Sequence, residues 1–290
     1  MIRYSVIVPH FDCPDVLVRA IRSVPEREDT EVLVVDNSPN PIDATLFPER
    51  KNIRMLYSPC GKGAGAARNV GLEQAKGQWL LMLDADDFFT TEAFAAMDQQ
   101  ADSDADIVFF KMSSCYSVSL KPADRDLQFN ELIDRFMAHN DEGALRYEWG
   151  SPCAKMIRRS LVAEHAIRFE ETQAANDVLF SVLTGYWAKR IAASADTVYC
   201  ATVRDDSLTM TPSMRHLNDR IDVAVRYNRF VRTHGLSRYQ QSIMYNVYTM
   251  ARNYGICSAM KTIGRSVRAG NNPFIGCTHW ISTIKNATHD

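Results

Sequence analysis

Short apolar runs alternate with amphipathic stretches over the first 110 residues. Residues 3–9 read as a first buried strand. Residues 14–24 follow, with Val16, Leu17, Ala20, Ile21 and Val24 on one helical stripe and Arg19 and Arg22 outside it. Asp12 is placed to cap that helix, with Pro14 in its first turn. Residues 31–35 read as a second buried strand and residues 52–57 as a third, weaker one. The glycine-rich stretch Gly61 to Gly71 leads into a helix ending near Gly77. Residues 79–83 are apolar enough for a strand buried on both faces. A helix near 91–100 and a strand over 105–111 complete the alternation. This order predicts a mainly parallel α/β sheet with right-handed crossovers that put helices on both faces.

After Ser113 the pattern loosens. Residues 129–140 look helical, and 147–161 read as a loop running into short regular structure. A helix is expected from Gln173 to about Ala188, with Asp177 in its first turn, where a carboxylate also complements the helix dipole. Residues 196–203 read as a strand, 204–213 as a polar loop, and the remainder from Asn218 as helices.

Composition narrows the class. The 290 residues are 46% hydrophobic, ample for a core. The net charge of -2 hides an asymmetry. From Arg204 onward there are 12 Lys/Arg against 5 Asp/Glu, a formal +7, balanced by an acidic first part. The basic helices read as a packing element with a solvated face, or as a membrane-surface contact through residues such as Arg226, Arg229 and Arg232. No recognised nucleic-acid motif accompanies them, so nucleic acid is not an expected partner. The seven cysteines are scattered and form no CxxC pair. They fit a reduced cytoplasmic protein, on the inner face of a membrane if the basic helices touch one. The chain enters a strand-like run within a few residues, so no signal peptide is expected, and no apolar run approaches a membrane span.

The chemistry concentrates where the apolar run at 79–83 meets Asp84-Ala85-Asp86-Asp87. Open α/β sheets bind ligands at the carboxyl ends of their strands. An extended run would aim Asp84 and Asp86 to one side and Asp87 to the other. Adjacent carboxylates repel unless a cation compensates them, and a hard divalent ion does so. Helix capping near Thr90 is the plainer explanation of the same acids. The segment Gly61-Lys62-Gly63-Ala64-Gly65 suits an anion beside a helix N-terminus, with Lys62 and Arg68 at hand. Close packing of that helix on the sheet explains its glycines equally well. His216, His234 and His279 read as surface or packing residues before metal ligands.

Four motifs then occur in order: Ser5-Val6-Ile7-Val8-Pro9, Glu31-Val32-Leu33-Val34-Val35-Asp36, Gly65-Ala66-Ala67-Arg68-Asn69-Val70-Gly71 and Leu83-Asp84-Ala85-Asp86-Asp87. Together they resemble the family 2 glycosyltransferases, inverting enzymes of the GT-A fold that use nucleotide-sugars. The resemblance is dense to about residue 110 and thins to about 210. It implies a GT-A catalytic domain over 1–213, with nucleotide-sugar binding in 1–110 and the acceptor side in 111–213, and a C-terminal helical extension over 214–290. It implies that Pro9 lines the nucleobase pocket, that Asp36 hydrogen-bonds the base, usually uracil, and that Arg68 meets the nucleotide. Asp84 and Asp86 match the D-x-D pair: the first contacts the nucleotide sugar, the second binds Mn²⁺ or Mg²⁺. Asn176-Asp177 falls where the family commonly has Glu-Asp, which makes Asp177 the candidate base. Arg204, with Ser207 and Thr209, resembles a loop that closes over the diphosphate. Asn37 stands where a second Asp is frequent; it keeps hydrogen-bonding capacity without charge.

The implied activity is transfer of a sugar, with inversion, from a nucleotide-diphosphate donor such as a UDP-sugar to a glycan or lipid-linked glycan hydroxyl in surface polysaccharide synthesis. Two rivals stand beside it. A nucleotidyltransferase making nucleotide-sugars needs a glycine-rich basic loop after the first strand, where this chain has His10-Phe11-Asp12. An inactive nucleotide-sugar-binding module has no use for the retained Asp36, Asp84, Asp86 and Asp177.

Overall fold

The computed structural model describes residues 1–42, 44–203 and 213–275. Two compact units emerge. One takes Met1–Glu171 and the chain from Leu179 to the end of the sheet; the other takes Thr172–Val178 and the C-terminal helices.

The first unit is built on an eight-stranded sheet. Its strands are β1 (Tyr4–His10), β2 (Thr30–Asp36), β3 (Ile53–Tyr57), β4 (Trp79–Met82), β5 (Phe88–Phe89), β6 (Ile107–Tyr116), β7 (Lys155–Arg158) and β8 (Ile191–Val203). Their order in space is β3-β2-β1-β4-β7-β6-β8-β5. β1 lies parallel between β2 and β4, and β3 continues that parallel half. β1, β2 and β4 are buried along their whole length, which is why they read as unbroken apolar runs. β3 is the edge strand and only partly buried, matching its weaker pattern. The other half is mixed. β7 runs antiparallel between β4 and β6, β8 runs parallel to β6, and the two-residue β5 pairs antiparallel with β8.

Helices α1 (Pro14–Arg22), α2 (Gly63–Gln74), α3 (Ala93–Gln100), α4 (Leu127–His139), α5 (Glu142–Tyr147), α6 (Arg159–Glu164) and α7 (Val178–Trp187) connect these strands. α1 buries Leu17, Ala20 and Ile21 of the expected stripe, while Val16 is half-buried and the buried Val24 lies past the helix end. Its N-cap is Cys13 rather than Asp12, whose backbone is left-handed at φ 50 and whose N–H donates to Ser38 Oγ. α2 presses on β1: a Cβ on Gly71 would lie 2.5 Å from Ile7 Cγ2. Gly77 is equally constrained, since a Cβ there would meet the backbone nitrogen of Ser5 at 2.5 Å. α7 starts one residue after Asp177, so that carboxylate precedes the helix instead of lying in its first turn.

The second unit has its own core. Helices α8 (Met214–Thr233), α9 (Met244–Tyr254) and α10 (Ile256–Arg268) bury Leu217, Ile221, Val225, Ile243, Val247 and Met250 together. α8 starts before the expected Asn218 because Ser213 caps it: Ser213 Oγ accepts from the His216 N–H, and His216 Nδ1 accepts from the Ser213 N–H. Arg229 and Arg232 of the basic stretch donate to the carbonyls of Ala269 and Gly270 at the C-terminal end of α10. Among the described residues no helix is long and apolar enough to cross a membrane.

Candidate functional site

At the carboxyl end of β1 and β2 a buried polar cluster forms around Asp36, which is 1% exposed. Its Oδ1 accepts from His10 Nδ1 at 3.0 Å, from the Ser38 N–H at 3.0 Å and from Ser38 Oγ at 2.6 Å. Its Oδ2 accepts from the Ile42 N–H at 2.8 Å. The Cys13 N–H donates to His10 Nε2, which leaves the ring proton on Nδ1 for Asp36. Burial alone raises the pKa of Asp36; the bonds from Ser38, His10 and Ile42 outweigh it and hold the carboxyl below its ordinary range. Asp36 thus shapes the strand ends, with Oδ2 retaining the more open acceptor capacity. Pro9 is buried in β1 beside it, and Asn37 is buried next in the chain.

The second cluster begins where β4 ends. The chain does not stay extended. It turns at Ala85-Asp86, with the Asp87 N–H donating to the Asp84 carbonyl at 3.0 Å, so the simple alternation of side chains is lost. Nor do the acids cap α3, whose N-cap is Glu92. Asp84 Oδ1 accepts from Arg68 Nη2 at 2.5 Å. Arg68 comes from α2, is buried, and stacks its guanidinium 5.3 Å from the Phe169 ring centre. The Asp86 carbonyl accepts from Arg19 Nη2 at 2.8 Å and from Thr202 Oγ1 at 2.9 Å. Asp87, 4% exposed, accepts from Tyr199 OH at 2.7 Å and from the Thr202 N–H at 2.6 Å. Tyr199 OH in turn accepts from the Asp84 N–H at 3.2 Å. Burial, then the charges of Asp86 and Asp84, push the Asp87 carboxyl up to about 8.

The structure therefore brings Arg68 of α2 onto Asp84, two residues from Asp86 on the same turn. Arg204 lies outside the described residues, as do Ser207, Thr209 and His279. Asp177 is half-buried in the Thr172–Val178 segment of the helical unit. His216 caps α8, and His234 Nδ1 lies 2.8 Å from the Phe230 carbonyl. Tyr199, Thr202 and Arg19 were not among the expected site residues. The residue Asp87 would need as a partner is 112 positions away in sequence, and the two-residue β5, pairing Phe88 with Cys200, holds β8 beside the turn.

Among the described residues no group of three or more His, Cys, Asp or Glu side chains is arranged to hold a metal. The donor set nonetheless fits a hard divalent ion of the Mg²⁺ type, which commonly takes one or two carboxylates and completes its shell with phosphate oxygens and water. Asp86 is half-buried on a turn whose carbonyl is fixed from two sides. The upward push that Asp84 and Asp86 exert on Asp87 records a local excess of negative charge that a cation relieves.

A profile for Glycosyl transferase family 2 matches residues 5–165. The poly(ribitol-phosphate) beta-N-acetylglucosaminyltransferase TarS of Staphylococcus aureus is 26% identical over 214 residues, covering 69% of this chain and 35% of TarS. The chain thus spans about a third of the length of the curated relatives it first matches. Among solved structures, S. aureus TarS 1–349 in complex with UDP-GlcNAc has a TM-score of 0.68 at 22% identity, over 92% of this chain and 81% of that one. The mannosyltransferase PcManGT from Pyrobaculum calidifontis, in complex with GDP-Man and Mn²⁺, has a TM-score of 0.58 at 18% identity, over 97% and 80%. These likenesses establish the GT-A architecture of the mixed sheet and its flanking helices.

Proposed function

The chain belongs to glycosyl transferase family 2, and from that premise we propose that it moves a sugar from a nucleoside-diphosphate donor, UDP-linked, to a hydroxyl of a glycan or lipid-linked glycan in surface polysaccharide synthesis. The observation that carries this reading is the turn at Asp84–Asp87: acidic side chains gathered at the carboxyl end of β4, next to buried Arg68. The same donor class appears in the UDP-GlcNAc complex of the TarS neighbour.

In this reading Pro9 forms a wall of the nucleobase pocket, and Asp36 with its neighbour Asn37 supplies the polar edge. Arg68 holds Asp84 in place for the nucleotide sugar. Asp86 holds Mn²⁺ or Mg²⁺, which when bound supplies Lewis-acid charge toward the diphosphate. The acceptor oxygen bonds to the anomeric carbon as the bond to the diphosphate oxygen breaks on the opposite face, which inverts the configuration. Asp177 takes the hydroxyl proton. Arg204 is a further donor-binding residue in the same reading. The domain division at residue 213, and contact of the basic helices with an anionic membrane face, belong to the same proposal.

Thermal unfolding with Mn²⁺ and UDP, GDP, dTDP or CMP tests it. One diphosphate is expected to raise the unfolding temperature only with metal present, and Asp86→Ala to abolish that shift. Ligand at a hundredfold excess over its Kd stabilises a folded chain by about 2.7 kcal/mol, well within detection. No shift with any nucleotide overturns the donor class. Asp177→Asn is expected to lower turnover by ~10²–10⁴-fold; unchanged turnover removes Asp177 from the reaction.

A further inference from the structure

Two arginines from different elements anchor at or beside the Asp86-Asp87 turn, one on the Asp86 carbonyl and one on Thr202, and they are used differently. Arg19 of α1 is spent inside the protein. Its Nη1 donates to the Ser117 carbonyl at 2.7 Å, and its Nη2 to the Asp86 carbonyl and to Ser117 Oγ. Its guanidinium also lies over the Phe88 ring. Arg19 fixes the turn and has little left to offer a ligand.

Arg125, in the segment just before α4, is different. It is exposed to solvent. Its Nη1 donates to the Thr202 carbonyl at 2.9 Å. Thr202 is the residue whose N–H holds Asp87 and whose hydroxyl holds the Asp86 carbonyl. The guanidinium is therefore anchored one residue from the acidic turn. Among the described residues, its Nε and Nη2 donate to no protein group. An anchored guanidinium with an unused edge presents two parallel donors, the geometry that matches two phosphate oxygens. The electrostatics agree. The protein withdraws part of its hydration, which lowers the Arg125 pKa, and the charges of Asp87, Asp84 and Asp86 outweigh this and raise it.

We propose that Arg125 is a phosphate-binding residue of this site, taking oxygens of the donor's diphosphate on Nε and Nη2 while Nη1 stays on Thr202. The inference rests on the nucleoside-diphosphate reading above. A diphosphate entering beside Asp84, Asp86 and Asp87 meets repulsion that one divalent ion only partly offsets. A guanidinium already anchored on Thr202, the residue that holds that turn, supplies further positive charge without a rearrangement, and it stays with the protein when the diphosphate departs. Nothing in the local sequence points to it, since its partners lie on β8.

The test is calorimetric titration of the full chain with UDP and with GDP, in Mn²⁺, for wild type, Arg125→Gln and Arg125→Lys. Unliganded unfolding temperatures are measured alongside. In Arg125→Gln, affinity for the nucleotide that binds wild type is expected to fall about tenfold or more, with the unliganded unfolding temperature unchanged. Arg125→Lys, which keeps charge but not the fork, is expected to recover part of that loss. Wild-type affinity in Arg125→Gln overturns the assignment and leaves the donor class standing. If Arg125→Gln fails to fold, wild-type affinity in Arg125→Lys overturns the assignment. A wild-type chain that binds neither nucleotide overturns the donor class, and this inference with it.

Discussion

Asp36 is the last residue of β2 and Asp87 follows the end of β4, on either side of β1, and the two are almost equally buried. Burial alone would push both carboxyls up. Asp36 is met by donors from His10, Ser38 and Ile42. Asp87 has donors from Tyr199 and Thr202, and two further carboxylates on the same turn. The result is opposite: the Asp36 carboxyl is held below its ordinary range, and that of Asp87 rises to about 8. Depth of burial does not decide the charge state here; the donors and neighbouring charges do. The charge of the first cluster is balanced by its own donors, which also brace the strand ends. The second carries negative charge that its own residues leave incompletely offset, the condition expected of a place that receives a cation.

The largest disturbance of that contrast comes from removing the cation that the acidic turn already has. Arg68→Met deletes the partner of Asp84 while keeping most of the packing against Phe169. The expected cost is ~3 kcal/mol, toward the low end for a broken buried pair because the Asp84 side chain is 33% exposed. Urea unfolding at neutral pH measures it. A change below ~0.5 kcal/mol would mean that solvent, not Arg68, balances Asp84.

The sharpest form of the comparison uses the same substitution at both acids. In Asp36→Asn one oxygen becomes an NH₂ group, yet both oxygens of the wild-type residue accept from backbone N–H groups, which cannot reverse. One donor then faces another, at a cost of ~2 kcal/mol. In Asp87→Asn the remaining oxygen keeps the Thr202 N–H, and the NH₂ donates to Tyr199, whose hydroxyl can turn to accept. With its carboxyl pushed up to about 8, Asp87 is largely protonated at neutral pH, so the replacement changes little in charge as well. Its expected effect on stability is within ~0.5 kcal/mol of zero. Equal losses at the two positions would show that burial outweighs donor geometry. A smaller effect follows from Tyr199→Phe, which removes one bond to Asp87 and one from the Asp84 N–H, for about 1 kcal/mol in the same unfolding experiment.

How much of this could be read in the chain varies with the range of the interaction. β1, β2 and β4 are legible because a strand buried on both faces needs apolar residues at every position. β5 and β7 are not: β5 has only two residues, and β7 sets Met156 and Ile157 between Lys155 and Arg158, which makes neither an apolar run nor an alternation. Arg68, Asp84 and Asp86 stand out as motif residues, but the bond between Arg68 and Asp84 depends on α2 packing over β1. Tyr199 and Thr202 lie in a strand that the pattern does reveal. What it hides is their partner, since β8 reaches the turn only at the far side of a mixed sheet. Asp12 misleads for a local reason: its neighbour Cys13 takes the cap position while the Asp12 N–H bonds to Ser38.

The contrast has a last consequence, in acid. A carboxyl whose folded pKa lies below its unfolded value stabilises the fold above the unfolded pKa, and that contribution is lost as pH falls through the folded one. Asp36 is such a group. The stability gap between wild type and Asp36→Asn should stay level from pH 7 to about pH 5, above the ordinary carboxylate range. It should narrow below about pH 4, where the wild-type carboxyl begins to lose its advantage over the neutral amide. Urea midpoints for the two chains across that range measure the gap directly. A gap that stays level to pH 3 would place the advantage in the shape of the side chain alone. A gap that instead widens between pH 7 and 5 would mean that burial, not the donors on Oδ1 and Oδ2, sets the affinity of Asp36 for its proton, and would remove the difference between the two acids.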